Sequence, residues 1–114
     1  MIYTEITDTK NLGNYDNQTL ATEVRGDTLY LTGDIDLYVA AAFREVGESH
    51  VREHESPVLD LSGVPFLDSA GLASLLSIAR LARNHDRTLQ VIATGNPRRV
   101  LRITGVDRML VMHD

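Results

Sequence analysis

Two short apolar runs in this chain, PVLDL at residues 57–61 and TLQVIAT at residues 88–94, enclose a long stretch with helical periodicity. The apolar positions of that stretch recur at intervals of three and four, which is typical of a helix with one buried face. These positions are Leu72, Leu75, Leu76, Ala79 and Ala82, with Ile78 beside them and Ser74 and Ser77 outside the stripe. Strands that alternate with helices pair in parallel, because each helix carries the chain back to the starting edge of the sheet. The sequence therefore predicts an α/β domain with at least a partly parallel sheet.

Strands are also predicted on either side of this central part. LATEV at residues 20–24 and TLYLT at residues 28–32 form a predicted β-hairpin, in which Gly26 can adopt the positive φ that a tight turn needs. Downstream, a short helix is predicted to begin at Gly95, and MLVM at residues 109–112 is predicted to form the last strand.

A further helix is predicted over residues 37–52, with Asp36 as its N-cap. Its buried stripe is predicted from the same spacing rule. The stripe contains Ala40, Phe43, Gly47 and Val51, with Val39 and Val46 beside it.

The length of 114 residues is typical of one domain. Residues 19–114 are predicted to form it, and residues 1–18 are an N-terminal extension in which IYTEIT can form an edge strand and NLGNYDNQ a loop. The chain has no cysteine, which excludes disulfides and thiol catalysis.

The chain shows neither a signal peptide nor an apolar run of the roughly 20 residues that a membrane helix requires, so we expect a soluble, cytoplasmic protein without membrane insertion. The formal charge of −5 is unevenly distributed, with 13 acidic and 4 basic residues in residues 1–68, against 3 acidic residues and 7 arginines in residues 69–114. These arginines have no aromatic neighbours on which bases can stack, so nucleic-acid binding is not expected.

Ser69 lies where an apolar run meets the central helix, in the stretch FLDSAGL, and three interpretations fit it. Asp68 or Ser69 can cap the helix. Ser69 can be a hydrolase nucleophile with His85 or His113 as base, although the glycine two residues before a nucleophile elbow is missing. Ser69 can also be a phosphorylation switch, since a helix N-terminus favours the added negative charge.

His50 and His54 fit the inverted zinc pattern in HVREH, with Glu53 as the base. The pattern fixes only three residues and lies where the helix ends before Pro57, so a solvated helix end is the preferred interpretation. No P-loop is present. We therefore expect no metal, no cofactor and no catalytic site.

Two segments, LYLTGDID and VLDLSGVPFLDSAGLASLL, together resemble the STAS domain, and within it the bacterial anti-sigma factor antagonists. GNPRRVLRITGVDRML is similar to the C-terminal helix and strand of that family. The resemblance implies a STAS-like fold, which is a small mixed β-sheet with helices packed mainly on one face.

The resemblance also implies a role for Ser69. In that family the serine after the aspartate is phosphorylated by the anti-sigma factor, a serine kinase, and a phosphoserine phosphatase resets the cycle. The unphosphorylated antagonist binds the anti-sigma factor and releases the sigma factor. The predicted partner-binding residues are Asp36, Asp68, Ser69, Ala70 and Gly71. Ala70 departs from family members that carry a second hydroxyl there, which leaves one hydroxyl at this site.

Two questions stay open at this stage. The chain can instead be a STAS subunit of a lipid-transport or stress-signalling assembly, in which Ser69 is only a contact. The cluster of Arg98, Arg99 and Arg102 can be a solvated helix face, which we prefer, or a second docking patch.

Overall fold

The computed structural model describes residues 2–7 and 19–113; the predicted loop NLGNYDNQ lies outside these residues. The strands are β1 (Ile2–Thr7), β2 (Thr19–Arg25), β3 (Thr28–Thr32), β4 (Val58–Gly63), β5 (Gln90–Ile92) and β6 (Val111–His113). The helices are α1 (Ala40–Glu53), α2 (Ser69–Asn84) and α3 (Gly95–Thr104), and a 3-10 helix spans Val106–Met109.

The six strands form one sheet whose spatial order is the order along the chain. The strands β1, β2 and β3 pair antiparallel, whereas β3, β4, β5 and β6 pair in parallel. Each parallel step is a strand–helix–strand crossover, and all three crossovers advance in the same direction. Because such crossovers are right-handed in nearly all proteins, the three helices pack on the same face of the sheet. The predicted STAS-like fold, a mixed α/β sheet with helices mainly on one face, is confirmed.

The core lies between this face of the sheet and the helices. Alternate residues of the central strands are buried, as the period of two requires: they include Leu29, Leu31, Leu59, Leu61 and Val91. The residues between them point to the other face and are only half-buried. The turn between β2 and β3 contains Gly26 at a φ of +57°, which confirms the predicted hairpin.

Helix α1 begins at Ala40 and not at residue 37, and its N-cap position is Val39. Asp36 is therefore not the cap of this helix, in contrast to the prediction. Its carboxylate accepts a hydrogen bond from the Tyr38 amide at 3.0 Å, and its carbonyl accepts one from the Val39 amide at 3.2 Å. Asp36 closes a separate turn, because the backbone of Ile35 is still paired with a neighbouring segment and cannot enter a helix there.

The buried face of α2 is rotated relative to the predicted stripe. Ile78 is fully buried and Ser74 is buried as well, whereas Leu72 and Leu76 are half-buried. The reason is the contact with α1, where a Cβ at Gly47 would overlap the Cδ1 of Ile78. The Ser74 hydroxyl donates to the Ala40 carbonyl at 2.8 Å, which satisfies the polar group between the helices.

The C-terminal part follows the prediction with a shift. Helix α3 begins at Gly95 and ends at Thr104, and the φ of +81° at the following Gly105 is the left-handed conformation common after a helix. A 3-10 helix follows, so that β6 begins at Val111 instead of residue 109. Among the described residues, no helix is both long enough and apolar enough to cross a bilayer.

Candidate functional site

The loops that follow β3 and β4 continue to pair beyond the ends of the two strands. The Gly33 amide donates to the Gly63 carbonyl at 3.1 Å, and the Ile35 amide donates to the Phe66 carbonyl at 2.9 Å. The Asp68 amide then donates to the Ile35 carbonyl at 3.1 Å. The backbone leading to Ser69 is therefore fixed before the helix begins.

Asp68 is the N-cap of α2, so the cap predicted at Asp68 or Ser69 falls to Asp68. Its Oδ1 accepts a hydrogen bond from the Gly71 amide at 2.9 Å. Its Oδ2 accepts one from the Leu37 amide at 3.1 Å, in the loop after β3. One carboxylate thus both caps the helix and ties the two loops together.

Ser69 is the first residue of α2 and its side chain is exposed. The first amides of a helix lack an intrahelical acceptor, and the helix dipole makes this end electropositive. An added anion on the Ser69 hydroxyl would therefore be tolerated by the fold. Ala70 follows it and is half-buried.

Gly71 is buried beneath this surface. A Cβ built there would lie 2.6 Å from the Leu67 Cδ1 and 2.8 Å from the Ile35 carbonyl oxygen. No residue larger than glycine fits without moving the backbone of the neighbouring loop. Gly71 is one of the five predicted partner-binding residues, and the structure places it below the surface at this close approach.

Two large apolar side chains on the paired loops were not predicted as site residues. Leu37 is 67% exposed and Phe66 is 45% exposed, although both are large and hydrophobic. Each belongs to one of the two paired loops, while Asp36 beside Leu37 is half-buried. No sequence signal marks Leu37, because it lies outside the helix only as a result of the extra turn at Asp36.

Asn96 is a third site residue that was not predicted from the sequence. Its side-chain oxygen accepts a hydrogen bond from the Leu67 amide at 3.0 Å, two residues before Ser69. Asn96 lies in the first turn of α3, which follows the carboxyl end of β5. The segments that follow β3, β4 and β5 therefore meet at one edge of the sheet, at the carboxyl ends of the parallel strands. Binding sites are common at this edge in parallel sheets.

Neither histidine that was considered as the base of a hydrolase lies at Ser69. His85 is the C-cap of α2, at the opposite end of the helix, and its Nδ1 donates to the Leu81 carbonyl at 3.0 Å. The His113 Nε2 lies 3.0 Å from the Gln90 side-chain oxygen. Neither imidazole contacts Ser69 in the described part of the chain.

The two histidines of HVREH are engaged in other contacts. The Nε2 of His50 donates to the Asp27 carbonyl at 2.7 Å, and the Nδ1 of His54 donates to the His50 carbonyl at 2.9 Å. No group of three or more potential metal-binding side chains occurs among residues 2–7 and 19–113. The preferred interpretation of a solvated helix end is wrong for His50, which is buried because the β2–β3 turn covers it.

Burial lowers the pKa of His50 from its usual value, although the Asp27 carbonyl opposes this shift. His54 lowers the pKa further, while the charges of Asp27 and Glu53 raise it. The fold thus favours the neutral ring, so its stabilising contribution is complete above the unfolded pKa of about 6.5 and is lost as the pH falls through the lower folded value. We expect the free energy of unfolding to fall between about pH 7.5 and pH 5.5 more steeply in the wild type than in His50→Gln.

This pH dependence is measured by urea unfolding at each pH. The exposed His85 provides the matched control, and His85→Gln is expected to keep the wild-type slope. If wild type and His50→Gln lost stability equally steeply as the pH falls, His50 would not be the source of this pH dependence.

Three comparisons relate this geometry to known proteins. A family model described as "Mlab, STAS domain" matches residues 19–112. No curated protein matches the sequence. The fold is similar to that of an anti-sigma factor antagonist from Mycobacterium paratuberculosis, with a TM-score of 0.71 and 26% identity, over 82% of this chain and 83% of that one.

Two further solved structures share the fold at lower identity. A putative anti-sigma factor antagonist from Thermotoga maritima has a TM-score of 0.68 and 19% identity, over 82% of this chain and 84% of that one. The Bacillus cell fate determinant SpoIIAA in its phosphorylated form has a TM-score of 0.60 and 15% identity, over 83% of this chain and 91% of that one.

Proposed function

The chain belongs to the STAS domain family, and from this premise we propose that it is an anti-sigma factor antagonist, switched off by phosphorylation of Ser69. In the unphosphorylated state it binds an anti-sigma factor that is also a serine kinase, and the sigma factor is released. A phosphoserine phosphatase restores the active state. The protein works in the cytoplasm and has no catalytic activity of its own.

The observation that carries this proposal is the exposed hydroxyl of Ser69 at the capped start of α2. The Asp68 carboxylate already accepts hydrogen bonds from two amides, one in each neighbouring segment. The serine therefore sits on a rigid support, and a kinase can reach it without unfolding the helix. Ala70 leaves it as the one hydroxyl at this site.

The apolar side chains beside the serine support a protein partner. Leu37 and Phe66 are exposed on the two loops that Asp68 connects. A partner that covers them must also pass over the end of α2. The fully desolvated centre of such an interface supplies most of its binding energy, and charged groups are depleted there.

A phosphate at Ser69 changes this surface more than it changes the fold. It adds a charge of about −1.5 to −2 at a helix end that favours anions. The same charge lies next to Asp68 and opposes burial under a partner. An interface penalty of about 1.4 kcal/mol already lowers the affinity tenfold.

The proposal is tested by capture from the extract of the native cell. Wild type and Ser69→Asp are used as tagged baits, and the captured proteins are identified by mass spectrometry. Ser56→Asp is the matched control, since Ser56 is also exposed but precedes β4 at the opposite edge of the sheet. We expect wild type and Ser56→Asp to capture an ATP-dependent serine kinase, and Ser69→Asp to bind the purified kinase about tenfold more weakly or worse. All three proteins are expected to melt at similar temperatures.

The alternative function is a STAS subunit of a transport or signalling assembly, in which the same apolar surface forms a permanent contact. In a subunit of a transport or signalling assembly, Leu37 and Phe66 would bind a partner without a switch. If both aspartate variants retain the same transporter component at wild-type affinity, this alternative replaces the proposal. If Ser69→Asp unfolds, the serine is structural and the proposal fails as well.

A further inference from the structure

Helix α3 carries a basic outer face in an otherwise acidic protein. The segment Gly95–Thr104 contains three arginines and no acidic residue, whereas the whole chain has a formal charge of −5. Only Pro97 and Leu101 of this helix are buried. Arg99 and Arg102 are exposed, and Ile103 is 77% exposed, which is more than any other large hydrophobic side chain within residues 20–113.

This face borders a cavity, and two of its three arginines lie outside the ion pairs found within residues 20–113. A cavity of about 460 Å³ is bounded by Gly95, Arg98, Arg99, Arg102 and Ile103. The ion pairs within residues 20–113 are Arg25 with Glu23 and Arg52 with Glu48, so Arg99 and Arg102 belong to neither. We call the residues around this cavity the α3 surface.

We propose that the α3 surface binds an acidic segment of a partner protein, with an apolar side chain of that segment resting on Ile103. Arginine presents several donors in a planar arrangement that suits carboxylates, and the paired hydrogen bonds are strong. The cavity is of a size that holds a few side chains. The occupant is therefore a short peptide segment rich in Asp or Glu.

Extended polyanions fit this surface less well. DNA or an anionic membrane would also meet the rest of the protein, where residues 1–68 contain 13 acidic and 4 basic residues. The α3 surface contains no aromatic side chain for stacking on bases and a single exposed apolar residue for insertion into lipid. A short acidic segment contacts the arginines without meeting the acidic part of the molecule.

The helix that carries the α3 surface is hydrogen-bonded to the loop before Ser69. Asn96 of the same helix accepts the hydrogen bond from the Leu67 amide at 3.0 Å. The helix that carries the α3 surface is therefore joined directly to the segment that leads to Ser69. The proposal itself does not depend on phosphorylation of Ser69 and holds for either function considered above.

The test uses the full chain and a fluorescent peptide of glutamates interrupted by leucine, with fluorescence anisotropy as the readout. We expect Arg99→Gln/Arg102→Gln to weaken binding by on the order of tenfold, and added salt to weaken wild-type binding. The matched control is Arg80→Gln/Arg83→Gln, which removes two exposed arginines from α2 and is expected to bind as the wild type does. Ile103→Ser is expected to weaken binding of this peptide but not of a version with alanine for leucine.

Several results would overturn the proposal. One is absence of peptide binding to the wild type, and another is equal loss in the two arginine variants. A third is a DNA duplex or phosphatidylglycerol vesicles binding through Arg99 and Arg102 while the peptide does not. Circular dichroism of each variant, with wild-type melting expected because the changed side chains are exposed, separates lost binding from lost folding.

Discussion

A methyl group added at Gly71 is expected to lower the free energy of unfolding by about 1–3 kcal/mol, the range of an overpacked core position. The Cβ of Gly71→Ala would lie 2.6 Å from the Leu67 Cδ1, 2.8 Å from the Ile35 Cγ2 and 2.8 Å from the Ile35 carbonyl oxygen. The last of these is a backbone atom that also accepts the hydrogen bond of the Asp68 amide. The destabilisation should appear even though alanine favours a helix by about 1 kcal/mol over glycine.

Gly47→Ala provides a matched comparison on the other helix. The three atoms nearest to its Cβ would all belong to the side chain of Ile78, and Ile78→Val removes the nearest of them. We expect Ile78→Val to recover part of the loss in Gly47→Ala, whereas Ile35→Val should not rescue Gly71→Ala. Urea unfolding of the two glycine variants, each with and without its isoleucine-to-valine change, measures how much stability is recovered. A Gly71→Ala protein as stable as the wild type would show that the two loops can separate without cost.

Removal of the Asp68 side chain is expected to have the second large effect. Asp68→Ala loses the cap of α2 and the bond to the Leu37 amide, which together correspond to about 2–4 kcal/mol of unfolding free energy. The loss of the second bond also frees the loop that carries Leu37. We therefore expect weaker partner binding in addition to lower stability, both measured on the purified protein.

Two further variants distinguish the effect of losing the hydrogen bonds of Asp68 from the effect of losing its negative charge. Asp68→Asn keeps one acceptor oxygen, so it should retain one of the two bonds and about half of the stability difference. Asp34→Ala removes the same charge from an exposed position in the loop after β3 and should remain within about 0.5 kcal/mol of wild type. If Asp34→Ala were as unstable as Asp68→Ala, net charge and not the two hydrogen bonds would explain the effect.

The order of strands and helices was predictable because it depends on periodicity within each segment. The hairpin at Gly26, the crossover from β4 through α2 to β5, and a cap at Asp68 or Ser69 all follow from residues close together in sequence. The resemblance to the STAS family added two predictions, namely that the sheet is mixed and that the helices pack mainly on one of its faces. The roles of Ser69 and Asp36 toward a partner remain predictions.

The features that were not predictable depend on contacts between distant segments. Asp36 closes a turn instead of capping α1 because Ile35 is held by the loop after β4. Ser74 is buried because it faces the Ala40 carbonyl on another helix. His50 is buried by a turn that lies 23 residues away. Each of these depends on how the helices and loops pack, which a single sequence does not specify locally.

The parallel arrangement of β3 to β6 also determines where the protein can be labelled. Ser69 lies at one edge of the sheet, and α2 carries the chain through 16 residues, or about 24 Å, to the exposed turn at Asp86. A dye or an immobilisation tag attached at Asp86 is thus held a full helix length from the Ser69 hydroxyl. Binding at the Ser69 edge can be followed by energy transfer from that position without obstructing the partner.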